Sequence, residues 1–248
     1  MDSAEIAWAL VDHAVHRAKL QSVADVKTAL AQLASLVPER AGATWIDGLP
    51  GAVREEIRAS LRPPDADSWG PHAVVEVCRH VFPRDTLATV DTGSHRILLS
   101  QVWECYEPAA LLQSTGLATM GYGLPAAIGA KLARPDRPVV CFTGDGGLEM
   151  TIGELATLRD LGLPIAILCF ADRSLTLIEL KQRRMELPNL GVDFPGTDLA
   201  QVARAYGGHG ERVASRKELM RACRAALARD RFTLIEAIVD KAEYASQM

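Results

Sequence analysis

From residue 71 onward, short apolar runs alternate with segments in which apolar residues recur at helical spacing. The apolar runs predict strands at 86–90, 139–142, 165–170, 211–213 and 233–239. The helical periods predict helices at 72–82, 124–133, 148–161, 175–183, 198–206 and 216–228. The pattern makes 91–95 a loop and leaves 96–113 unassigned. Alternating strands and helices are typical of βαβ units, so we predict a doubly wound α/β domain whose mostly parallel sheet carries helices on both faces.

The first part of the chain shows helical spacing without strand-like runs. Apolar residues recur at this spacing in 8–18 and 26–36, which predicts two helices within residues 1–36, and a shorter helix is predicted at 51–61. Residues 62–71 are rich in Pro, Asp and Gly, as linkers are. We therefore expect residues 1–66 to form a short helical N-terminal segment and residues 67–248 to form the main domain.

The composition fits a globular domain and argues against several classes of protein. An apolar content of 48% supplies a substantial core, and a net charge of −4 without a basic run argues against nucleic-acid binding. No apolar run is long enough to predict a membrane span, and the first 19 residues lack the apolar core of a secretory signal. Cys141 and Cys169 fall within predicted strands, which predicts buried free thiols and a cytoplasmic location.

Two acidic residues directly follow two of the predicted strands. Asp145 lies in Thr-Gly-Asp-Gly-Gly at 143–147, and Asp172 follows the next strand, 27 positions later. One helix and one strand separate them, so both belong at the carboxyl edge of the sheet, where open α/β folds bind ligands. Two carboxylates beside glycine N–H groups suit a divalent cation that holds a phosphate. Each residue taken alone fits an ordinary helix cap or turn better than a metal site, and it is the pair that favours the cation.

The sequence around these residues resembles the thiamine-diphosphate motif, in which Gly-Asp-Gly precedes an Asn or Asp at the end of the next strand. Segment 115–130, Thr-Gly-Leu-Ala-Thr-Met-Gly-Tyr-Gly-Leu-Pro-Ala-Ala-Ile-Gly-Ala, is similar to the corresponding part of acetolactate synthase and its decarboxylase relatives. Segments 133–140 and 154–157 continue the likeness, which covers roughly residues 71–240. The resemblance implies the diphosphate-binding domain of such an enzyme, with thiamine diphosphate and Mg2+ as cofactors.

The resemblance also implies roles for individual residues. Asp145 and Asp172 would bind Mg2+ through their side chains, and the main-chain oxygen of Ser174 would be a third ligand. The other residues implied to bind the cofactor, together with Asp145 and Ser174, are Gly93, Ser94, His95, Ala118, Met120, Gly144, Gly146, Gly147, Leu175 and Leu177. Met120 matches the bulky residue that supports the bend between the two rings of the cofactor.

Three positions depart from the family pattern. Asp172 stands where the family usually has Asn, which adds a negative charge near the metal. Thr176-Leu177 replaces a usual Gly-Met, and Ala118 replaces the Gly that precedes Thr-Met in the carboligases. These positions lie near the reacting atoms in the family, so the substrate of acetolactate synthase does not carry over.

Enzymes of this group also use a glutamate from a pyrimidine-binding domain, and no segment of the chain resembles that domain. The resemblance therefore implies one subunit of a split 2-oxo acid decarboxylase or carboligase, a lyase or transferase that is catalytic only with a partner. We expect a separate pyrimidine-binding subunit in a heteromer, α2β2 or larger, and a small 2-oxo acid or acyl substrate. Residues 1–66 would be a remnant of a middle domain or a docking element.

Three alternatives stay open. One is the β subunit of a 2-oxo acid oxidoreductase or dehydrogenase, although the chain has no cysteine cluster for an iron–sulfur centre. Another is a non-catalytic cofactor-binding or regulatory subunit, which the carboxylate pair and Met120 argue against. The weakest is a nucleotide-binding Rossmann domain, because no GxGxxG motif follows the first strand of the main domain.

Overall fold

The computed structural model describes residues 4–7, 20–38, 46–63, 65 and 67–246. The chain divides into two compact units, Met1–Ala52 and Val53–Met248. This division falls within the helix α2 (Leu49–Leu61), whereas the linker-like composition marks a boundary at residue 66. The functional boundary at 66 therefore stays a prediction.

The N-terminal unit contains two short strands and one further helix among its described residues. The strands β1 (Ala4–Ala7) and β2 (Leu20–Val23) pair in parallel, and α1 (Val26–Leu36) follows them. The expectation that residues 1–36 form two helices is therefore wrong at both strands, and the helix predicted at 8–18 lies outside the described residues. The helix α1 is confirmed, and Asp25 caps it by accepting a hydrogen bond from the Thr28 N–H at 2.9 Å. Four-residue strands are too short for their periodicity to stand out from helical spacing.

The C-terminal unit is built on one parallel sheet, which has six strands within the described residues. The strands are β3 (Leu87–Val90), β4 (Leu111–Gln113), β5 (Val139–Gly144), β6 (Ala166–Ala171), β7 (His209–Val213) and β8 (Thr233–Ile238). The helices are α3 (Pro71–Val81), α4 (Ser94–Val102), α5 (Gly123–Ala133), α6 (Asp145–Met150), α7 (Glu154–Asp160), α8 (Thr176–Arg184), α9 (Leu199–Ala205) and α10 (Arg216–Ala228), with a final 3-10 turn at Lys241–Ser246. The strand order is β4-β3-β5-β6-β8-β7.

Buried side chains fill both faces of this sheet. One core packs α3, α4 and α10 against strand residues such as Phe142 and Leu168. The other packs α5, α7 and α9 against residues such as Cys141, Ile167 and Cys169. Alternate residues of each central strand thus enter opposite cores, as a fully buried parallel sheet requires. The predicted doubly wound fold is confirmed, as are the buried thiols of Cys141 and Cys169.

Two predicted elements differ in their bounds. The single helix predicted at 148–161 is two short helices, α6 and α7, which Thr151 and Gly153 separate. Both residue types have low helix propensity, which favours a break in the helix at this point. The loop predicted at 91–95 is shorter, because α4 begins at Ser94 and occupies part of the unassigned region. Ser94 and His95 therefore lie in a first helical turn, where main-chain N–H groups lack intrahelical partners.

The carboxyl edge of the sheet brings distant segments together. The strands β3, β5 and β6 are successive neighbours, so the loops that follow them lie side by side. The strand β8 pairs with β6, and Ile238 lies opposite Ala171, so the C-terminal segment emerges beside the loop at Asp172. No helix in the described part of the chain has the length and apolar character needed to cross a membrane.

Candidate functional site

A cavity of about 270 Å³ lies at this carboxyl edge. Every residue that the sequence implies for the cofactor or the metal lines it, and these come from the loops after β3, β5 and β6 and from the segment before α5. They are Gly93, Ser94, His95, Ala118, Met120, Gly144, Asp145, Gly146, Gly147, Asp172, Ser174, Leu175 and Leu177. The structure therefore brings the whole predicted set together, although their separate roles in binding stay predictions.

Asp145 is a buried carboxylate that two main-chain groups hold in place. Its Oδ1 accepts a hydrogen bond from the Gly146 N–H at 2.8 Å, and its Oδ2 accepts one from the Arg173 N–H at 2.7 Å. Burial, followed by the nearby charge of Asp172, raises the pKa of Asp145 to about 7 despite these two bonds. A cation bound beside such a buried carboxylate would stabilise its ionised form.

Asp172 is held by a different pair of donors. Its Oδ1 accepts from the Ser174 N–H at 3.0 Å, and its Oδ2 accepts from the Thr176 hydroxyl at 2.6 Å. Burial also raises the pKa of Asp172, against the opposing effect of these bonds and of the Lys241 charge. Within the described residues, no group of three or more His, Cys, Asp and Glu side chains is arranged for a metal. A cation here would therefore depend on two carboxylates supplemented by main-chain and phosphate oxygens, which are ligands that Mg2+ accepts.

The loop after β3 presents polar atoms that lack partners. Thr92 Oγ1, Ser94 Oγ and His95 Nε2 are buried and have no hydrogen-bond partner among the described residues. Buried polar atoms are nearly always paired in proteins, so three that line one cavity indicate a polar ligand. Burial lowers the pKa of His95 to about 4, against the opposing charge of Asp91, so its imidazole is neutral near pH 7. The ring stacks on Phe170 with centroids 5.2 Å apart.

Glycines leave room where the main chain approaches these groups. A Cβ atom on Gly93 would lie 2.7 Å from His95 Cε1, closer than real Cβ contacts come. A Cβ atom on Gly146 would lie 3.0 Å from Leu175 Cδ2 and 3.6 Å from Met120 Cε. Met120 and Leu175 thus both lie close to Gly146, and the absence of a side chain there leaves them room beside the main chain.

The segment before α5 has an unusual main-chain conformation. Ala118 has φ of 52° and Gly121 has φ of 81°, so both lie in the left-handed region that favours glycine. The carboligases have Gly at the position of Ala118. The left-handed φ explains this preference, because glycine adopts it without the steric cost that a Cβ atom brings. The departure noted in the sequence is therefore a residue held in a conformation that its side chain disfavours.

Asp91 organises this edge of the sheet, and sequence patterns assigned it no role. It is 1% exposed and accepts four hydrogen bonds. The donors are the N–H groups of Thr92, Gly121 and Tyr122 and the hydroxyl of Thr143, at 2.8, 3.0, 3.1 and 3.2 Å. These bonds join the ends of β3 and β5 to the segment that carries Met120. Its position in the sequence could have identified it as a site residue, because Asp91 directly follows a strand as Asp145 and Asp172 do.

Five further residues of the cavity wall were not predicted to bind the cofactor. They are Thr92, Phe170, Thr176, Ile178 and Tyr244. The first four lie within two positions of predicted site residues in the sequence, so the loop geometry alone could have included them. Tyr244 lies in the 3-10 turn at the end of the described chain, far from the others in sequence.

A comparison with models of protein families identifies the family to which this site belongs. Residues 91–237, more than half of the chain, match the model of the thiamine pyrophosphate (thiamine diphosphate, TPP) enzyme C-terminal TPP binding domain. The chain belongs to this family. The TPP-binding domain begins its match at Asp91, the residue that joins the segments around the cavity. The predicted family and its cofactor, thiamine diphosphate with Mg2+ as the usual metal of the diphosphate, are confirmed at this level.

Curated relatives are acetolactate synthases. The chain is 34% identical to the isozyme 1 large subunit of Escherichia coli K12 over 186 residues, which are 74% of this chain and 33% of that protein. It is 34% identical to a probable large subunit of Methanococcus aeolicus over 159 residues, 63% of this chain and 26% of the relative. With the acetolactate synthase of Bacillus subtilis 168 it shares 32% identity over 175 residues, 71% of this chain and 31% of the relative. The TPP-binding domain chain thus spans about a third or less of the length of these relatives.

Proposed function

We propose that this TPP-binding domain holds thiamine diphosphate and Mg2+ for a 2-oxo acid decarboxylase or carboligase of the acetolactate synthase type. The observation that carries the proposal is the convergence of all the implied residues on one cavity, which holds the buried carboxylate of Asp145 and the partly buried carboxylate of Asp172. The names of the relatives favour this chemistry over that of a 2-oxo acid oxidoreductase β subunit.

In this proposal, the metal end of the cavity is formed by Asp145, Asp172 and the main-chain oxygen of Ser174. A divalent cation between the carboxylates of Asp145 and Asp172 would relieve their mutual repulsion, which adds to the effect of burial in raising the pKa of Asp145. Ser94 and Thr92 carry unpartnered hydroxyls suited to the phosphate oxygens of the same ligand.

The apolar end of the cavity would hold the rings of the cofactor. Met120, Leu175 and Leu177 line this part, and Phe170 and Ile178 extend the apolar wall. When bound, thiamine diphosphate supplies an electron sink for making or breaking a C–C bond beside a carbonyl group. The apolar side chains of this chain would exclude water and hold the rings in one orientation.

The activating glutamate would come from a separate pyrimidine-binding subunit, in a heteromer of α2β2 or larger. Within the described residues, the acidic side chains that line the cavity are Asp145 and Asp172, and the proposal commits both to the cation. The buried thiols of Cys141 and Cys169 suit a cytoplasmic location for this assembly.

Calorimetric titration of the full chain with thiamine diphosphate and Mg2+ tests the binding half of the proposal. We expect saturable binding that requires the metal and that Asp145→Ala abolishes. Release of CO2 from 2-oxo acids after addition of the pyrimidine-binding partner tests the catalytic half. Metal-independent binding, or equal activity of the Asp145→Ala complex, would contradict the proposed metal site and favour a non-catalytic subunit.

A further inference from the structure

The C-terminal 3-10 turn, Lys241–Ser246, returns to the cofactor cavity. The Val239 N–H donates to the Ala171 carbonyl at 3.2 Å, so the chain leaves β8 directly beside the loop that carries Asp172. This placement follows from the pairing of β8 with β6 rather than from any sequence motif.

Contacts on both sides hold the turn in place. Lys241 Nζ lies 2.6 Å from Asp193 Oδ1, and Asp193 pairs with Ser174 through a main-chain bridge. Asn189 Nδ2 donates to Asp193 Oδ2 at 2.8 Å, which fixes the acceptor of this ion pair. On the other side, the Glu243 side chain packs so closely on Gly70 that a Cβ atom there would overlap it. The turn is therefore a fixed part of the wall.

Tyr244 projects from this turn into the wall of the cavity. It is 1% exposed and lines the cavity together with Asp172 and Ser174. None of the described residues forms a hydrogen bond with its hydroxyl. Burial, followed by the charges of Asp172 and Asp145, raises the pKa of Tyr244, so the phenol keeps its proton and is a hydrogen-bond donor.

Four donors of the metal loop are already engaged, whereas Ser174 Oγ is buried without a hydrogen-bond partner. The N–H groups of Gly146 and Arg173 donate to Asp145. The Ser174 N–H and the Thr176 hydroxyl donate to Asp172. A phosphate that enters this end of the cavity therefore has few donors available, namely the hydroxyls of Ser174, Ser94 and Thr92, and the Tyr244 hydroxyl can supply a further one.

We propose that Tyr244 is a specificity-determining residue whose hydroxyl donates a hydrogen bond to the diphosphate group of the bound cofactor. The inference rests on the proposed function and deepens it. It gives the C-terminal turn a part in distinguishing a diphosphate from a monophosphate ester. The alternative is that the ring only fills space, in which case its hydroxyl would contribute nothing to binding.

The test compares the wild-type chain with Tyr244→Phe, which keeps the ring and removes the hydroxyl. Dissociation constants for thiamine diphosphate and thiamine monophosphate, each with Mg2+, are measured by calorimetry on the full chain. We expect Tyr244→Phe to bind the diphosphate about tenfold more weakly, as the loss of a hydrogen bond to a charged group predicts, and to change monophosphate binding less. Tyr206→Phe is the matched control, since Tyr206 packs against the core around α9 and does not line the cavity.

A second variant, Lys241→Gln, removes the ion pair with Asp193 and should weaken diphosphate binding in the same direction. Thermal unfolding of each variant checks that the fold is intact. Unchanged diphosphate affinity in Tyr244→Phe, or an equal loss for both ligands, overturns the inference. A wild-type chain that binds neither ligand overturns the proposed function itself, which is a separate outcome.

Discussion

Replacing Asp172 with asparagine should stabilise the metal-free protein and weaken the proposed metal site. The introduced amide can keep both present hydrogen bonds, because its oxygen accepts from the Ser174 N–H and its NH2 group donates to the Thr176 hydroxyl, which accepts as readily as it donates. The substitution therefore removes one negative charge and little else. It also restores the residue type that the family usually has.

The magnitude follows from the pKa of Asp145. Raising this pKa from 3.8 to about 7 corresponds to roughly 4 kcal/mol against the ionised form. Burial is the larger cause, so we assign less than half of this, about 1–2 kcal/mol, to the charge of Asp172. A folded-state pKa above the unfolded value means that stability is fully present below about pH 4 and is lost as the pH rises through about 7. The gain from Asp172→Asn should therefore appear at pH 8 and nearly vanish at pH 5.

Urea unfolding in EDTA at pH 5 and pH 8 measures this difference. At pH 8 we expect Asp172→Asn to raise the free energy of unfolding by about 1–2 kcal/mol, or the melting temperature by roughly 3–6 °C. The matched variant is Asp145→Asn, whose amide would leave the N–H of Gly146 or Arg173 without an acceptor, so its gain should be smaller. Saturating Mg2+ and thiamine diphosphate should reverse the order, since the wild-type pair carries one more charge for the cation. A gain of the same size at both pH values, or no gain at pH 8, would refute charge repulsion as the cause.

Three further predictions concern the frame around the cavity. Gly93→Ala should destabilise the protein by about 1–3 kcal/mol in thermal unfolding, because its Cβ atom would contact the His95 ring. Gly129→Ala is the control, since its Cβ atom would have no neighbour within 4 Å. Equal stability of the two variants would contradict this contact. Asp91→Asn should lower the free energy of unfolding by about 1–3 kcal/mol, since an amide cannot accept all four hydrogen bonds. Urea titration measures this loss. An unchanged free energy of unfolding would mean that these bonds do not stabilise the fold. Ala118→Gly should raise stability by up to about 1 kcal/mol, as relief of a left-handed alanine exceeds the added flexibility of the unfolded chain; a decrease in melting temperature would disprove it.

The sequence was sufficient to predict which site residues lie together where their proximity follows from the geometry of parallel strands. Asp145 and Asp172 end neighbouring strands, so their proximity is a consequence of strand order and crossover handedness alone. The resemblance then supplied Met120 and the loop at Gly93, which pattern analysis could not have linked to them. The helical break at Thr151 and the start of α4 at Ser94 depend on local propensities too weak to read from periodicity.

Contacts made through tertiary structure escaped prediction. Asp91 matters because three separate segments place donors around one buried carboxylate, and no spacing in the sequence encodes that arrangement. Tyr244 is a lone aromatic residue in a polar tail, and only the pairing of β8 with β6 brings it beside Asp172. The short strands near residues 4–7 and 20–23 were missed because their pairing with each other, rather than their composition, defines them.

The residues of the cavity wall extend in sequence from Thr92 to Tyr244, which is most of the length of the C-terminal unit. A ligand that contacts both ends binds only the intact fold, and at a hundred times its dissociation constant it would add about 2.7 kcal/mol to the free energy of unfolding. Proteases that act on transiently opened chains would then find about a hundredfold fewer of them. In a cell, a larger supply of thiamine diphosphate would thus lengthen the lifetime of this protein.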